Sequence, residues 1–172
     1  MKRLLELDAR LTARLHVLEK PGLLRRLAII LGHSGDSWFW LAGLFLIYWQ
    51  ASSYWQQKAL AMIVGIILTA VVVLTVKFSV RRARPAGDWG QLYRKTDPHS
   101  FPSGHAARAV MLAVMALSLG PVWLGALLAV WALLVGIARV ATGLHYVSDV
   151  FAGWILGIVM GYISLQVLTI IL

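Results

Sequence analysis

The chain has 172 residues, 60% of them hydrophobic and 13% charged, with a formal charge of +9 from 16 Lys and Arg against 7 Asp and Glu. Soluble domains carry about a quarter charged residues, so this balance points to a protein of the bilayer. Nucleic acid falls behind anionic lipid and phosphorylated substrates as the polyanion such a basic chain attracts, and the absence of cysteine excludes disulfides and thiolate chemistry.

In chain order, residues 1–20 come first. Leu4, Leu7, Leu11, Leu15 and Leu18 recur at helical spacing, while Arg3, Glu6, Arg10, Arg14 and Lys20 fall mostly elsewhere on the wheel. The pattern predicts an amphipathic interfacial helix, on the membrane surface or packed on other protein. Its charges and broken apolar core argue against a cleavable signal peptide. Pro21 ends it. From Gly22 to Trp49 the chain is largely apolar but interrupted by Gly32-His33-Ser34-Gly35-Asp36, which predicts a helical lead-in, a kink and a span ending at the interfacial rings of Tyr48 and Trp49. His33 and Asp36 are read as part of that kink or as an interfacial cap, ahead of a functional role.

A second span is predicted from Ala59 to Phe78, about the twenty apolar residues that hydrocarbon requires. Residues 79–102 form the one long polar stretch, with Arg81, Arg82, Arg84, Asp88, Arg94, Lys95, Asp97 and His99. Such a loop is expected to be functional, and it is read as the active-site loop. Further spans are predicted at Ser103–Leu119, Pro121–Thr142 and Tyr146–Leu172, with a turn at Gly120-Pro121. No internal repeat stands out. The expected fold is all-α, an integral membrane bundle of five spanning helices plus the N-terminal amphipathic helix, in a single membrane-embedded domain over 1–172, because lipid admits only helices and closed barrels.

Ionisable side chains at span ends are expensive to keep near lipid and mark function. Lys77 closes the second span and Arg84 follows before Pro85. His105 opens the third, after Pro102-Ser103-Gly104. Arg139, His145 and Asp149 surround the junction of the fourth and fifth. Span counting alone puts all six on one membrane face. Any one of them alone would be an ordinary interfacial residue; together, Lys77, Arg84 and Arg139 make a site for a polyanion. Ser103 and Gly104, at a helix start, add free amides and a close backbone approach that suit a phosphate. Asp149, four residues after His145, shares a helical face with it and would fix its tautomer. His145 is then the candidate nucleophile on phosphorus, and His105 the general acid for the leaving oxygen. Three cations beside one carboxylate would repel a divalent ion, so neither metal nor cofactor is expected.

At these residues the chain resembles the type 2 phosphatidic acid phosphatase family. Its three motifs appear as Lys77 to Arg84-Pro85 (Lys-x6-Arg-Pro), Pro102-Ser103-Gly104-His105, and Arg139 to His145 and Asp149 (Ser-Arg-x5-His-x3-Asp). Order and spacing agree, over roughly residues 60–160. Ala138 stands where the third motif opens with serine, so one hydroxyl contact is lost. The resemblance implies a phosphohistidine at His145 oriented by Asp149, an acid at His105, and phosphate contacts from Lys77, Arg84, Ser103, Gly104 and Arg139. It also reaches the vanadium haloperoxidases, whose soluble character the apolar spans here argue against.

The function expected is a lipid phosphatase acting on a phosphomonoester or pyrophosphate headgroup. Phosphatidylglycerophosphate, phosphatidate, an isoprenoid pyrophosphate and a lipid A phosphate all fit. The partners expected are the lipid substrate and the bilayer, with no nucleic acid and no obligatory protein partner, in a bacterial or archaeal cell membrane. The positive-inside rule turns the site toward the cytoplasm, and the resemblance pulls toward the outer face. An anion or lipid transporter, or a lipid-binding protein without hydrolysis, is the competing reading.

Overall fold

With no water to bond inside hydrocarbon, the apolar runs satisfy their amides as helices. The computed structural model describes residues 2–16, 22–87 and 90–171. Within them lie α1 (Lys2–Leu15), α2 (Leu23–His33), α3 (Ser37–Gln50), α4 (Ser53–Val80), α5 (Gln91–Thr96), α6 (Gly104–Leu119), α7 (Val122–Ala141) and α8 (Val147–Ile171). The protein is an all-helical integral membrane bundle. Leu18, Lys20, the Pro21 break, Asp88 and Leu172 lie outside the described residues.

Three helices among the described residues, α4, α7 and α8, are long and apolar enough to cross a bilayer. At 1.5 Å per residue, α4 reaches about 42 Å and α7 about 30 Å, against a hydrocarbon core of about 30 Å. α6, with 16 residues, reaches only about 24 Å. The expected first span is divided into α2 and α3 at the Ser34-Gly35-Asp36 junction. α4 starts six residues before Ala59, because its first turns carry the interfacial set Tyr54, Trp55 and Lys58; the Lys58 ammonium lies 3.5 Å from the Tyr54 ring centroid.

The bundle is inside out relative to a soluble domain. Leu127, Ile137, Phe151 and Ile155 point outward, while the centre is filled by α6 through Ala106, Ala107, Ala109, Met111, Leu112, Ala113, Met115 and Ala116. Lipid tails are as apolar as leucine, so helices associate through close packing of small residues. Gly153, Gly157 and Gly161 line one side of α8. A β-carbon on Gly153 would come within 2.6 Å of the Ser103 carbonyl, and one on Gly161 within 2.7 Å of Val114. α6 and α8 therefore touch backbone to backbone, and their first turns are brought side by side.

α1 packs on the rest of this chain along one side and leaves leucines outward. Leu5, Leu7, Leu11 and Leu15 remain exposed, while buried Thr12 accepts from the Val147 amide at 3.2 Å. Asp8 on the same side pairs with Arg82 at 2.7 Å. The 79–102 loop is also tied down. Ala83 bridges His99, α5 adds a short helical segment, and Arg94 donates to the carbonyls of Pro85 and Gly143.

Candidate active site

The α6–α8 contact fixes the centre. Ser103 caps α6, its hydroxyl accepting from the Ala106 amide, and its own amide donates to the Asp149 carbonyl at 2.9 Å. This backbone bond ties the Pro-Ser-Gly-His segment to the segment carrying His145 and Asp149. The amides of Gly104 and His105 begin the helix, where an anion is favoured.

His145 precedes α8 and is fully buried. Its Nδ1 lies 2.8 Å from the Ser100 carbonyl, so that nitrogen carries the hydrogen, and Nε2 accepts from Arg84 Nη1 at 3.2 Å. Asp149 Oδ2 lies 3.6 Å from Nδ1, too far for a hydrogen bond. The direct partner is therefore a main-chain oxygen, and the carboxylate predicted for that place is a neighbouring counter-charge. Asp149 accepts instead from the Tyr146 amide at 2.8 Å and from Arg82 Nη1 at 2.7 Å. Burial, then the charges of Arg139, Arg84 and Lys77, hold the His145 imidazole well below its usual value near 6.5, against the pull of the Ser100 carbonyl. It is neutral at pH 7, with the Nε2 lone pair turned to the cations.

Those cations converge. Lys77, 2% exposed at the end of α4, donates to the Asp97 carboxylate and to the His99 carbonyl at 2.9 Å. Arg84 donates to the same Asp97 oxygen at 3.0 Å, and to the carbonyls of Asp97 at 2.8 Å and Leu144 at 2.7 Å. Arg139 is buried near the end of α7, and its charge is felt by both His145 and His105. A cavity of about 210 Å³ is lined by Lys77, Asp97, Gly104 and His105 and continues along apolar Val73, Leu74 and Ala70 of α4. A wider apolar groove of about 680 Å³ between α2 and α3 meets the ionisable cluster only at His33.

All eight predicted site residues thus lie at one end of the bundle. Four neighbours escaped sequence reasoning. Asp97 joins Lys77 to Arg84. Arg82 links Asp149 to Asp8, with its guanidinium 3.9 Å from the Tyr146 ring centroid. Arg94 pins the loop. Asp36 accepts from His105 Nε2 at 2.6 Å. Of the two readings given for Asp36, the kink is present, since it lies in the break between α2 and α3, while at the N-cap position of α3 its side chain makes no capping bond.

Residues 58–170 match the family model described as the PAP2 superfamily. The chain belongs to the PAP2 superfamily. An undecaprenyl-diphosphatase of Sulfolobus acidocaldarius is 28% identical over 84% of this chain and 70% of that one. A probable lipid phosphate phosphatase beta of Arabidopsis thaliana is 29% identical over 96% and 90%. Among solved structures, Aquifex aeolicus LpxE superposes with a TM-score of 0.73, at 28% identity over 94% of each chain. A transmembrane PAP2-type phosphatidylglycerolphosphate phosphatase from Bacillus subtilis shares the fold, with a TM-score of 0.72 at 23% identity over 96% and 86%. The family assignment expected from the three motifs holds, and the protein is a membrane lipid phosphatase.

Proposed function

We propose that this phosphatase acts by in-line phosphoryl transfer to His145. The Nε2 lone pair forms a bond to phosphorus while the bond from phosphorus to the lipid oxygen breaks, and His105 gives its proton to that oxygen. Lys77, Arg84, Arg139 and the amides at Ser103, Gly104 and His105 hold the phosphoryl oxygens and offset their growing charge. Water then attacks the phosphohistidine with His105 as base. The P–N bond breaks, its electron pair returns to Nε2, inorganic phosphate leaves, and His105 is protonated again. Asp149 stabilises the positive charge of the phosphorylated imidazole across 3.6 Å. The scheme invokes no divalent ion: Lys77, Arg84 and Arg139 supply the positive charge, although the site holds Asp36 and Asp97 as well as the single carboxylate expected, Asp149.

One observation carries this reading. Lys77 and Arg84, from different elements, already share a single carboxylate oxygen, and Arg84 also touches the nucleophilic nitrogen. An oxyanion held by both cations is thus delivered to His145. The substrate is a phosphomonoester or pyrophosphate headgroup whose chains lie in the bilayer beside α4. α3, α4, α6, α7 and α8 are read as five crossings of one embedded unit spanning residues 1–172, in a bacterial or archaeal cell membrane.

Phosphate release by purified protein on phosphatidylglycerophosphate, phosphatidate, an isoprenoid pyrophosphate and lipid A phosphate tests the substrate class. Turnover of at least one is expected, inhibited by vanadate and indifferent to chelators. Loss of activity in a chelator would overturn the metal-free scheme.

A further inference from the structure

The three motifs supply a nucleophile, an acid and an anion cradle, but leave a physical problem at the acid. To donate a proton, His105 must first be an imidazolium, and it sits where positive charge is concentrated. Arg139 of α7 acts on it, Arg108 lies on its own helix, and Lys77 lines the same cavity. The arrangement that favours a bound phosphate disfavours a charged imidazole, unless a counter-charge is fixed beside it. Asp97 lines this cavity, but its carboxylate is engaged by Lys77 and Arg84.

The α2–α3 junction supplies another carboxylate. Asp36 Oδ1 lies 2.6 Å from His105 Nε2, and its second oxygen accepts from His33 Nδ1 at 2.9 Å. The junction is tied to α3, α6 and α7 by hydrogen bonds. Arg108 donates to the Gly35 carbonyl through Nε at 3.0 Å and Nη2 at 2.6 Å. Trp131 of α7 donates to the Ser34 hydroxyl at 2.8 Å, and Trp40 to the Ser34 carbonyl at 2.9 Å. A β-carbon at Gly35 would come within 3.3 Å of His105 Cδ2, so the Cδ2–Nε2 edge of the ring faces the junction and the Nδ1 edge is turned away from it. Glycine at position 35 lets the carboxylate approach this closely.

We infer that Asp36 is the positioning residue of the general acid: it holds Nε2–H of His105, presents Nδ1 to the leaving oxygen and balances the imidazolium charge. The inference rests on the acid role proposed above for His105. His33, half-exposed on the far side of the carboxylate, steadies Asp36 and is the outer member of a His33–Asp36–His105 chain. Phosphoryl transfer balances as before, with the proton leaving Nδ1 and Nε2–H staying on Asp36.

Leaving-group dependence in Asp36→Asn tests this. The readout is kcat/KM for phosphoryl transfer, on an alkyl phosphate lipid and on p-nitrophenyl phosphate, whose leaving group needs little protonation. General acids contribute about 10²–10⁴-fold. Asp36→Asn is expected to lose about 10–100-fold on the lipid and only a few-fold on the aryl ester, with His105→Ala showing the same asymmetry more strongly. The ratio of the two substrates is measured in one preparation and does not depend on the fraction folded. Equal losses on both substrates in Asp36→Asn would reduce Asp36 to a structural role and overturn the inference. Symmetric or absent losses in His105→Ala would instead overturn the acid role beneath it. Should Asp36→Asn fail to accumulate, His33→Gln reads the same ratio: a smaller shift in the same direction is expected, and an unchanged ratio counts against the chain.

Discussion

The two histidines are held in different ways. His145 is supported from within the motif-bearing segments: its neighbour Asp149 is four residues away, and its acceptor Ser100, 45 residues earlier, lies just before the Pro-Ser-Gly-His motif. His105 is supported from outside them, by a carboxylate 69 residues earlier at the junction of α2 and α3. The roles proposed for them, His145 as nucleophile and His105 as acid, account for the contrast. A nucleophile works neutral, and burial among cations keeps it so. An acid works charged, and the same cations oppose it, so a counter-ion has to come from outside the cradle.

Single substitutions separate these roles. His145→Ala removes the attacking nitrogen and is expected to lower kcat by at least about 10⁴-fold, with no acid-labile phosphoprotein trapped in rapid quench. Residual turnover near the wild-type rate would eliminate His145 as nucleophile. Arg84→Gln should come next, at about 10²–10³-fold in kcat/KM, the usual size for a lost charge-stabilising donor. It also sharpens the contrast through pH. Protonation silences His145, and its depressed pKa puts that loss well below pH 6.5 in the wild type. Deleting one of the depressing charges should move the acid limb upward, and a limb that stays put or moves down would show that Arg84 does not act on the imidazole.

Gly157→Ala probes the contact that both sites share. Its β-carbon would meet the Ala107 carbonyl at the α6–α8 crossing. Overpacking of this kind costs about 1–3 kcal/mol, to be read as a lower melting temperature in detergent, with activity on all substrates falling together. An unchanged melting temperature would mean that the crossing is not tight. The smallest effect is expected from Asp97→Asn. Freeing Lys77 and Arg84 from a resident carboxylate should tighten vanadate inhibition several-fold; weaker inhibition would show that Asp97 helps to build the anion seat.

Much of this molecule was legible in the sequence, and the exceptions have physical causes. The helices from α6 onward begin and end within a residue of the predicted segments, because apolar runs between Gly-Pro and motif residues leave little freedom. The apolar run from Ala59 marks the hydrocarbon span and not the start of α4, because Ser53, Gln56 and Gln57 are polar residues that a helix carries in its interfacial turns. The glycine row 153, 157, 161 went unread because residue-level hydropathy sees glycine as neutral; its meaning lies in how closely a backbone passes. Asp36 falls in the expected kink, but its contact with His105 is hidden for a related reason. An aspartate after Ser-Gly and before a helix is a cap by every local rule, and only the packing of α2 and α3 on α6 puts an imidazole within its reach. Arg82, Arg94 and Asp97 were visible as loop charges, but their partners come from four separate segments, and no spacing encodes them.

The acceptor of the His145 Nδ1 hydrogen is a peptide oxygen, and that bears on how the protein tolerates change. Any amino acid at position 100 brings the same carbonyl, so the ring's orientation is insulated from substitution there in a way that a side-chain partner never is. Asp149 is thereby relieved of holding the proton and kept for its charge. Replacing it with asparagine should slow the enzyme while leaving the imidazole correctly turned, a graded handicap where other hydrolytic triads suffer collapse.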